Sequence, residues 1–449
     1  MTPAVTHPGF ASLGDFCDAD KVSRVLVNFT EWLERYGESS WDFQSVYAGP
    51  IGGRAKRLYY RNRLIGTAAV APMVFCEAFL PSARRLFHHR MRFPIADAHY
   101  AMAFALLYQT TSNSTYLKKA IHFLKELKKS RCPNFKEYCW GYPFDWVWHG
   151  GVIGSETPLI TTTPYVYEAF LQIYEIRKRA NSGDQFSDPE QLNELKGIIE
   201  SIVRHAFIDI KDFRSSEQAS SCSYTPFAGD GKVLNAAAYR AFLLTSASKV
   251  FSSNHYRKTA ERNLNFVLEN QNGDGSWYYA VDGVRDFVDH FHTCFVMKSL
   301  AKIHSLTGDS ATLEALRKGV SYYLNHLFAT DGLPKPFSRA PRLIIYKREL
   351  YDCAECINLC LLLRDRFPQL GVTLRTVVDG VVSDWIKSDG SFRSRRLYWG
   401  WDNVPMHRWG QSQMFRSLAY YLREASENKN QNTDASPQIN EITHLRSRV

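Results

Sequence analysis

The residues able to do chemistry gather in a few aromatic-rich segments. The first reads Cys139-Trp140-Gly141-Tyr142-Pro143-Phe144-Asp145-Trp146-Val147-Trp148-His149, with Glu156-Thr157-Pro158 just after it. A second holds Asp274, Trp277, Tyr278, Tyr279 and Asp286, then Asp289, His290 and His292. A third holds Lys335, Arg339, Arg342, Lys347 and Arg348, followed by Tyr351. The last holds Asp389, Arg393, Arg395, Arg396, Trp399, Trp401 and Asp402, with His407 and Arg408 beyond. Indole and phenol rings stack on flat apolar faces such as those of sugars. Carboxylates and imidazoles bind hydroxyls, and arginine offers a planar fork for carboxylate or phosphate. The mixture points to a glycan site, with an acidic sugar suited to the cations.

Two chemistries fit. Glycosidic hydrolysis uses a carboxylic acid and a second carboxylate, for which Asp145, Glu156, Asp286, Asp289 and Asp402 are candidates. Epimerisation or elimination uses a base beside a sugar carbon and a cation that stabilises the enolate, for which Tyr279, His292, Arg348 and Arg408 are candidates. The acting groups expected are Asp145, Tyr279, His292 and Arg408. The expected substrate-binding set is Trp146, Trp148, Glu156, Trp277, Tyr278, Asp286, Arg348, Trp401 and Asp402. Asp289 stands where a helix begins, so capping is its first expected role. His290 and His292 are two apart and point apart on a helix. One is expected to face the site and the other to pack. No phosphate loop, zinc-protease motif or serine-hydrolase elbow is present in the sequence, and neither metal nor cofactor is expected.

These segments are the connections of a helical repeat. Six pairs are predicted, at 20–36 and 94–108, 116–129 and 164–176, 189–205 and 232–250, 256–270 and 288–304, 311–327 and 349–367, and 372–387 and 406–423. First members are amphipathic, as in Leu195, Ile198, Ile199, Ile202 and Val203. Second members are apolar nearly all round, as in Ala101–Leu107, and must be buried on several sides. Six outer and six inner helices with no polar capping repeats make a closed ring. The predicted fold is therefore an all-α (α/α)6 toroid. Connections leading into inner helices are long and those leaving them short, so one end should form a funnel. The barrel with an N-terminal extension is expected over 1–423, and a disordered polar tail over 424–449.

The 449 residues carry 55 Lys and Arg against 45 Asp and Glu, a formal charge of +10. That balance favours anionic partners or is simply a solvated basic surface. No nucleic-acid motif accompanies it. Nine scattered cysteines, with Cys353, Cys356 and Cys360 on one helix face, read as buried thiols of a reducing compartment. The start lacks a signal peptide, and residues 64–80 are too short and too interrupted by Pro72 and Glu77 to span a bilayer. A cytoplasmic location is expected, with peripheral association with a membrane or a biosynthetic complex open.

Two resemblances follow. Residues 266–277, Phe-Val-Leu-Glu-Asn-Gln-Asn-Gly-Asp-Gly-Ser-Trp, resemble the QW repeat of squalene-cyclase and prenyltransferase toroids. The cyclase DxDD motif is absent from the sequence, and the resemblance implies a structural joint at Gln271 and Trp277. More widely, the chain resembles an (α/α)6-barrel family encoded in bacterial polysaccharide-biosynthesis loci. The resemblance lies in residues 139–146, Thr157-Pro158 with Thr161–Thr163, Ser223-Tyr224-Thr225-Pro226, residues 274–279 and Asp289–Thr293. This chain has His290 where that family shows Asn. The resemblance implies a glycan context, in which an enzyme of surface or exopolysaccharide synthesis is the leading reading. A non-catalytic glycan-binding or assembly component of an export system, and a terpenoid-processing toroid, are the alternatives.

Overall fold

The computed structural model describes residues 19–179, 188–227, 229 and 231–434. The outer helices are α1 (Ala19–Tyr36), α6 (Ser114–Lys129), α8 (Pro189–Arg204), α10 (Asn254–Glu269), α12 (Ser310–His326) and α14 (Gln369–Asp384). The inner helices are α5 (Pro94–Thr111), α7 (Thr163–Arg179), α9 (Leu234–Val250), α11 (His290–Thr307), α13 (Leu350–Leu363) and α15 (Ser412–Asp434). Each inner helix packs on the next, and α15 returns to α5, so the ring is closed. This is the (α/α)6 toroid. Between α1 and α5 the chain inserts α2 (Ser45–Ala48), α3 (Pro50–Arg61) and α4 (Arg63–Phe79). None of these three helices is among the six pairs read from the sequence.

The two helix types behave as their patterns require. On α8, Leu195, Ile198, Ile199, Ile202 and Val203 are buried while Glu194 and Lys196 face water. On α9 every residue from Leu234 to Ala247 is buried. Polar groups pair between inner helices: Lys298 of α11 with Glu355 of α13, Lys302 of α11 with Glu168 of α7, and Asn358 Nδ2 donating to Ser417 Oγ at 2.8 Å.

Outer helices are tied together by a recurring joint. The indole of Trp277 donates to the Val267 carbonyl at 3.0 Å, and Gln271 Nε2 reaches the Ala315 carbonyl of α12 at 2.9 Å. Trp140 repeats the first bond, donating to Leu127 O at 2.8 Å. The Asp274-Gly275-Ser276 turn recurs as Asp389-Gly390-Ser391, with the same Asp Oδ1 to Ser N bond at 2.9 Å in both. Gly275 and Gly390 have φ of +92° and +93°, and a Cβ there would lie 2.4 and 2.6 Å from a carbonyl of the next outer helix. Glycine serves both needs at once.

The long connections all lie at the end where the inner helices begin, and they carry short paired strands, some within one connection and some between neighbouring ones. These are β1 (Trp146–Trp148) with β2 (Gly151–Ile153), and β3 (Asp212–Arg214) with β4 (Ser220–Cys222). Next come β5 (Val288–Asp289) with β6 (Phe337–Arg339), and β7 (Tyr346–Glu349) with β8 (Arg395–Leu397) and β9 (Gly400–Asp402). Backbone bonds link neighbouring connections: Ile160 N to Tyr224 O, Leu234 N to Tyr279 O, His290 N to Pro336 O and Leu350 N to Ser394 O. The funnel wall is thus a hydrogen-bonded belt. Helix α15 continues to Asp434, past the boundary at 423 expected from composition. Arg364 Nη2 meets Glu424 Oε2 at 3.0 Å and Arg423 meets Glu427 at 2.9 Å, which holds that polar turn helical. Residues 435–449, and with them the rest of the expected tail, lie outside the described residues, as do 1–18.

Candidate functional site

A cleft of about 350 Å³ opens in the funnel wall between three connections. Trp146, Trp148 and Val152 of the β1–β2 hairpin form one side. Tyr224, Thr225 and Phe227 form the second, and Tyr279 and Arg285 the third. The hairpin turn needs Gly150, where a Cβ would lie 2.5 Å from the Trp148 ring. Tyr224 is anchored by the bond from Thr161 Oγ1 to its hydroxyl at 3.2 Å, and burial pushes its phenol well above the usual range. Arg285 is paired with Asp282, and its guanidinium lies 5.6 Å from the Tyr279 ring centroid.

Tyr279 separates this cleft from a second cavity of about 10 Å³, lined also by Asn235, Trp277, Tyr278, His292 and Val296. That is room for one water. His292 packs edge-on to Tyr279, centroids 4.6 Å apart, and Tyr279 stacks on Phe287 at 4.8 Å. Asp289 holds His292 in two ways. Its Oδ1 accepts the His292 backbone N–H at 2.8 Å, the capping bond of α11, and its Oδ2 lies 2.6 Å from Nδ1. With Nδ1 so engaged, Nε2 is the nitrogen left for acid–base work. The two histidines are placed differently. His290 is fully buried between Tyr323 Oη, 2.8 Å from its Nε2, and the Leu327 carbonyl, and burial lowers its pKa to about 3. Behind the dyad Asp352 is buried, and neither carboxylate oxygen has a hydrogen-bond partner. Burial, then the charges of Glu349 and Asp289, push its carboxyl well above the carboxylate range.

The remaining predicted residues divide. Trp146, Trp148, Tyr279 and His292 converge on the two cavities, and Tyr278 flanks the smaller one. Trp277 touches it too, but is 3% exposed and held by its indole N–H, so it serves as the joint. Asp145 stands exposed, accepting the Ser155 N–H at 2.9 Å across the base of the β1–β2 hairpin, and Glu156 is exposed with φ of +60°. Asp286 pairs with Arg339 on the rim, and Arg348 turns to Asp331, away from the cleft lining.

Arg408, an expected acting group, and Asp402, an expected substrate-binding group, are buried on partners within the protein, and Trp401, also expected to bind substrate, is half-buried. The Arg408 guanidinium is buried in a fork on Asp42, at 2.8 and 2.7 Å, with the Tyr142 ring 4.5 Å away. Burial opposes its charge, but Asp42 and then Tyr142 outweigh that and raise its pKa. Asp402 is fully buried, its Oδ2 accepting Arg84 Nη2 at 2.8 Å within a cluster that also holds Glu77, Arg395 and Glu349. Trp401 packs edge-on to Trp385 at 5.0 Å, flanked by Arg393 and Arg396. The sequence reading missed Tyr224, Arg285 and Asn235 as site residues. Tyr224 had a signal, the Ser223–Pro226 segment; the other two had none.

No protein-family model matches the chain, and no curated protein matches it. Solved structures do. An unsaturated glucuronyl hydrolase specific for heparin is similar with a TM-score of 0.59 at 11% identity, over 92% of this chain and 97% of that one. A cellobiose 2-epimerase from Bacillus thermoamylovorans B4167 gives 0.55 at 9% identity, over 75% and 90%. A glycosyl hydrolase of family 88 from Bacteroides vulgatus gives 0.55 at 7% identity, over 91% and 99%. At such identities the likeness shows the shared (α/α)6 fold.

Proposed function

We propose that this chain is an enzyme that moves a proton at a sugar carbon, by epimerisation or elimination, in the cleft between Trp148 and Tyr279. The observation that carries this reading is Tyr279 in the lining of an aromatic-walled cleft, with the Asp289–His292 pair packed directly behind it. A sugar stacks on Trp146 and Trp148 and shifts the Tyr279 ring aside, so that its acidic C–H meets His292. Nε2 accepts that proton, and Asp289 stabilises the imidazolium that forms. In elimination the C–O bond beyond the carbanion breaks and the Tyr279 hydroxyl gives its proton to the departing oxygen. In epimerisation the planar intermediate turns over in the cleft and the imidazolium returns the proton to the opposite face of the same carbon. Arg285, in the cleft lining, is placed to pair with a uronic-acid carboxylate, so an acidic glycan is the substrate class proposed. The similar solved structures, a glucuronyl hydrolase and an epimerase among them, support a carbohydrate-active role on this fold. The setting in bacterial surface-polysaccharide synthesis is supported by the sequence resemblance, and a cytoplasmic location by the free buried cysteines.

The test is incubation with a panel of acidic and neutral oligosaccharides in D2O and, separately, in water labelled with oxygen-18. Deuterium at a sugar carbon, or an unsaturated product, is expected, reduced at least tenfold in His292→Gln. Oxygen-18 at a new reducing end without deuterium exchange would assign hydrolysis instead. Binding without any turnover would make the chain a glycan-binding component.

A further inference from the structure

Helix α4 presents an unusual surface. From Leu64 to Cys76 it carries no charged residue, and the Glu77 carboxylate that follows is held by buried Arg84 at 2.7 Å. Gly66, Met73 and Ala78 are buried, and a Cβ on Gly66 would lie 2.1 Å from Tyr59 Cα, so α3 and α4 pack closely. The opposite face is Leu64, Ile65, Ala68, Pro72, Phe75 and Phe79. At 3.6 residues per turn these fall within an arc of about 120°. All six are exposed, Leu64 at 87% and Phe75 at 55%. The face extends beyond the helix, since Phe79 stacks at 5.3 Å on Trp399, the exposed tip of the β8–β9 turn.

A contiguous exposed apolar face of this kind marks an interaction site. Its charge surroundings indicate the partner. Between Asp42 and Glu77 the chain has no acidic residue and five basic ones, of which Arg54, Arg57, Arg61 and Arg63 are exposed. An apolar helix face beside a cationic stretch is the pattern of a helix lying in a bilayer surface, with its apolar side at the acyl boundary and cations on anionic headgroups. No described helix is long and apolar enough to cross a membrane, and α4 is interrupted by Pro72. We propose that the α3–α4 hairpin, with Trp399, is a surface anchor for a bilayer containing anionic lipid.

The test is co-sedimentation of the full chain with vesicles of phosphatidylcholine alone and of phosphatidylcholine with phosphatidylglycerol. Binding to the anionic vesicles, weakened by salt, is expected. The double variant Leu64→Asp, Phe75→Asp should lose at least about tenfold in partitioning, because two large apolar groups no longer leave water. Both side chains project into solvent, so its circular dichroism and melting should match the parent. Arg61→Gln with Arg63→Gln, which leaves the apolar face intact, should weaken binding to anionic vesicles alone. No binding at low salt, or equal binding by the Asp variant, would overturn the proposal. So would a lipid-free dimer that the Asp variant dissolves while vesicles fail to bind, since a second copy would then own this face.

Discussion

Arg84→Met tests whether the buried ion cluster fastens the α4 insertion to the ring. Arg84 Nε and Nη2 each donate to Glu77 at 2.7 Å, and Nη2 also donates to Asp402 at 2.8 Å, with the Arg84 and Asp402 side chains wholly inaccessible. Nearby Arg395 pairs with Glu349 and lies 3.5 Å from Glu77. Removing Arg84 leaves three carboxylates facing one guanidinium. Breaking a buried pair in this way costs about 3–5 kcal/mol. Asp402→Asn is milder: Arg84 keeps its fork on Glu77 and a side-chain oxygen can still accept the Val404 N–H, 3.1 Å from Oδ1 in the parent. The expected cost there is about 1 kcal/mol. The loss should be local, because α3 and α4 share a small core of Val46, Ala55 and Met73 separate from the main one. Amide hydrogen exchange is the assay. Exchange in residues 50–79 should speed up by roughly 10²–10⁴ in Arg84→Met and about tenfold in Asp402→Asn, while α9 keeps its protection. If residues 50–79 exchange at parental rates in Arg84→Met, or if α9 loosens equally, the fastening role is refuted.

Three further outcomes are expected. Asp289→Asn can keep the cap of α11 and should melt within about 1 kcal/mol of the parent, whereas Asp289→Ala loses about 1–2 kcal/mol in denaturant titrations; both should lose turnover of the substrate the oligosaccharide panel identifies. Gly319→Ala would place a methyl 2.8 Å from Trp277 Cζ3 and should cost about 1–3 kcal/mol in thermal melts, as it would not if Trp277 were free to move. His290 and His407 are buried with pKa values lowered to about 3. The unfolded chain therefore takes up protons first, and the stability these groups contribute, full above about pH 6.5, falls toward pH 3 by at most about 1.4 kcal/mol per pH unit each. Melts of His290→Asn from pH 7 to 4 should show a correspondingly shallower loss, and an unchanged slope would refute the assignment.

The ring was legible because its signal is local and repeated. Leu195 to Val203 declare a one-sided helix, Leu234 to Ala247 a buried one, and the Asp289 cap marks where the second kind begins. The joint was legible through Gln271 and Trp277. Half of the candidate site was legible as well, since Tyr279 and His292 are close in sequence and share one wall. Arg408 and Asp402 were misread because their partners are distant in the chain, Asp42 at 366 positions and Arg84 at 318. An arginine in an aromatic-rich loop looks the same whether its carboxylate comes from a substrate or from the protein. Tyr224 was marked only by its Ser223–Pro226 segment, and Arg285 reaches the cleft because the backbone belt aligns its loop, which leaves no side-chain pattern to read.

The closure of the ring has a consequence for how the chain is made. Phe29 of α1 stacks on Phe415 of α15 at 4.8 Å, and Tyr100 of α5 meets His407 at 2.5 Å. A polypeptide leaving the ribosome thus exposes the apolar flanks of α1 and α5 until some three hundred residues more have been translated, roughly 15–60 s at elongation rates of about 5–20 residues per second. During that interval the early helices have no native neighbour on one side. Chaperone occupancy on the nascent chain should therefore concentrate on these two helices and end when α15 emerges.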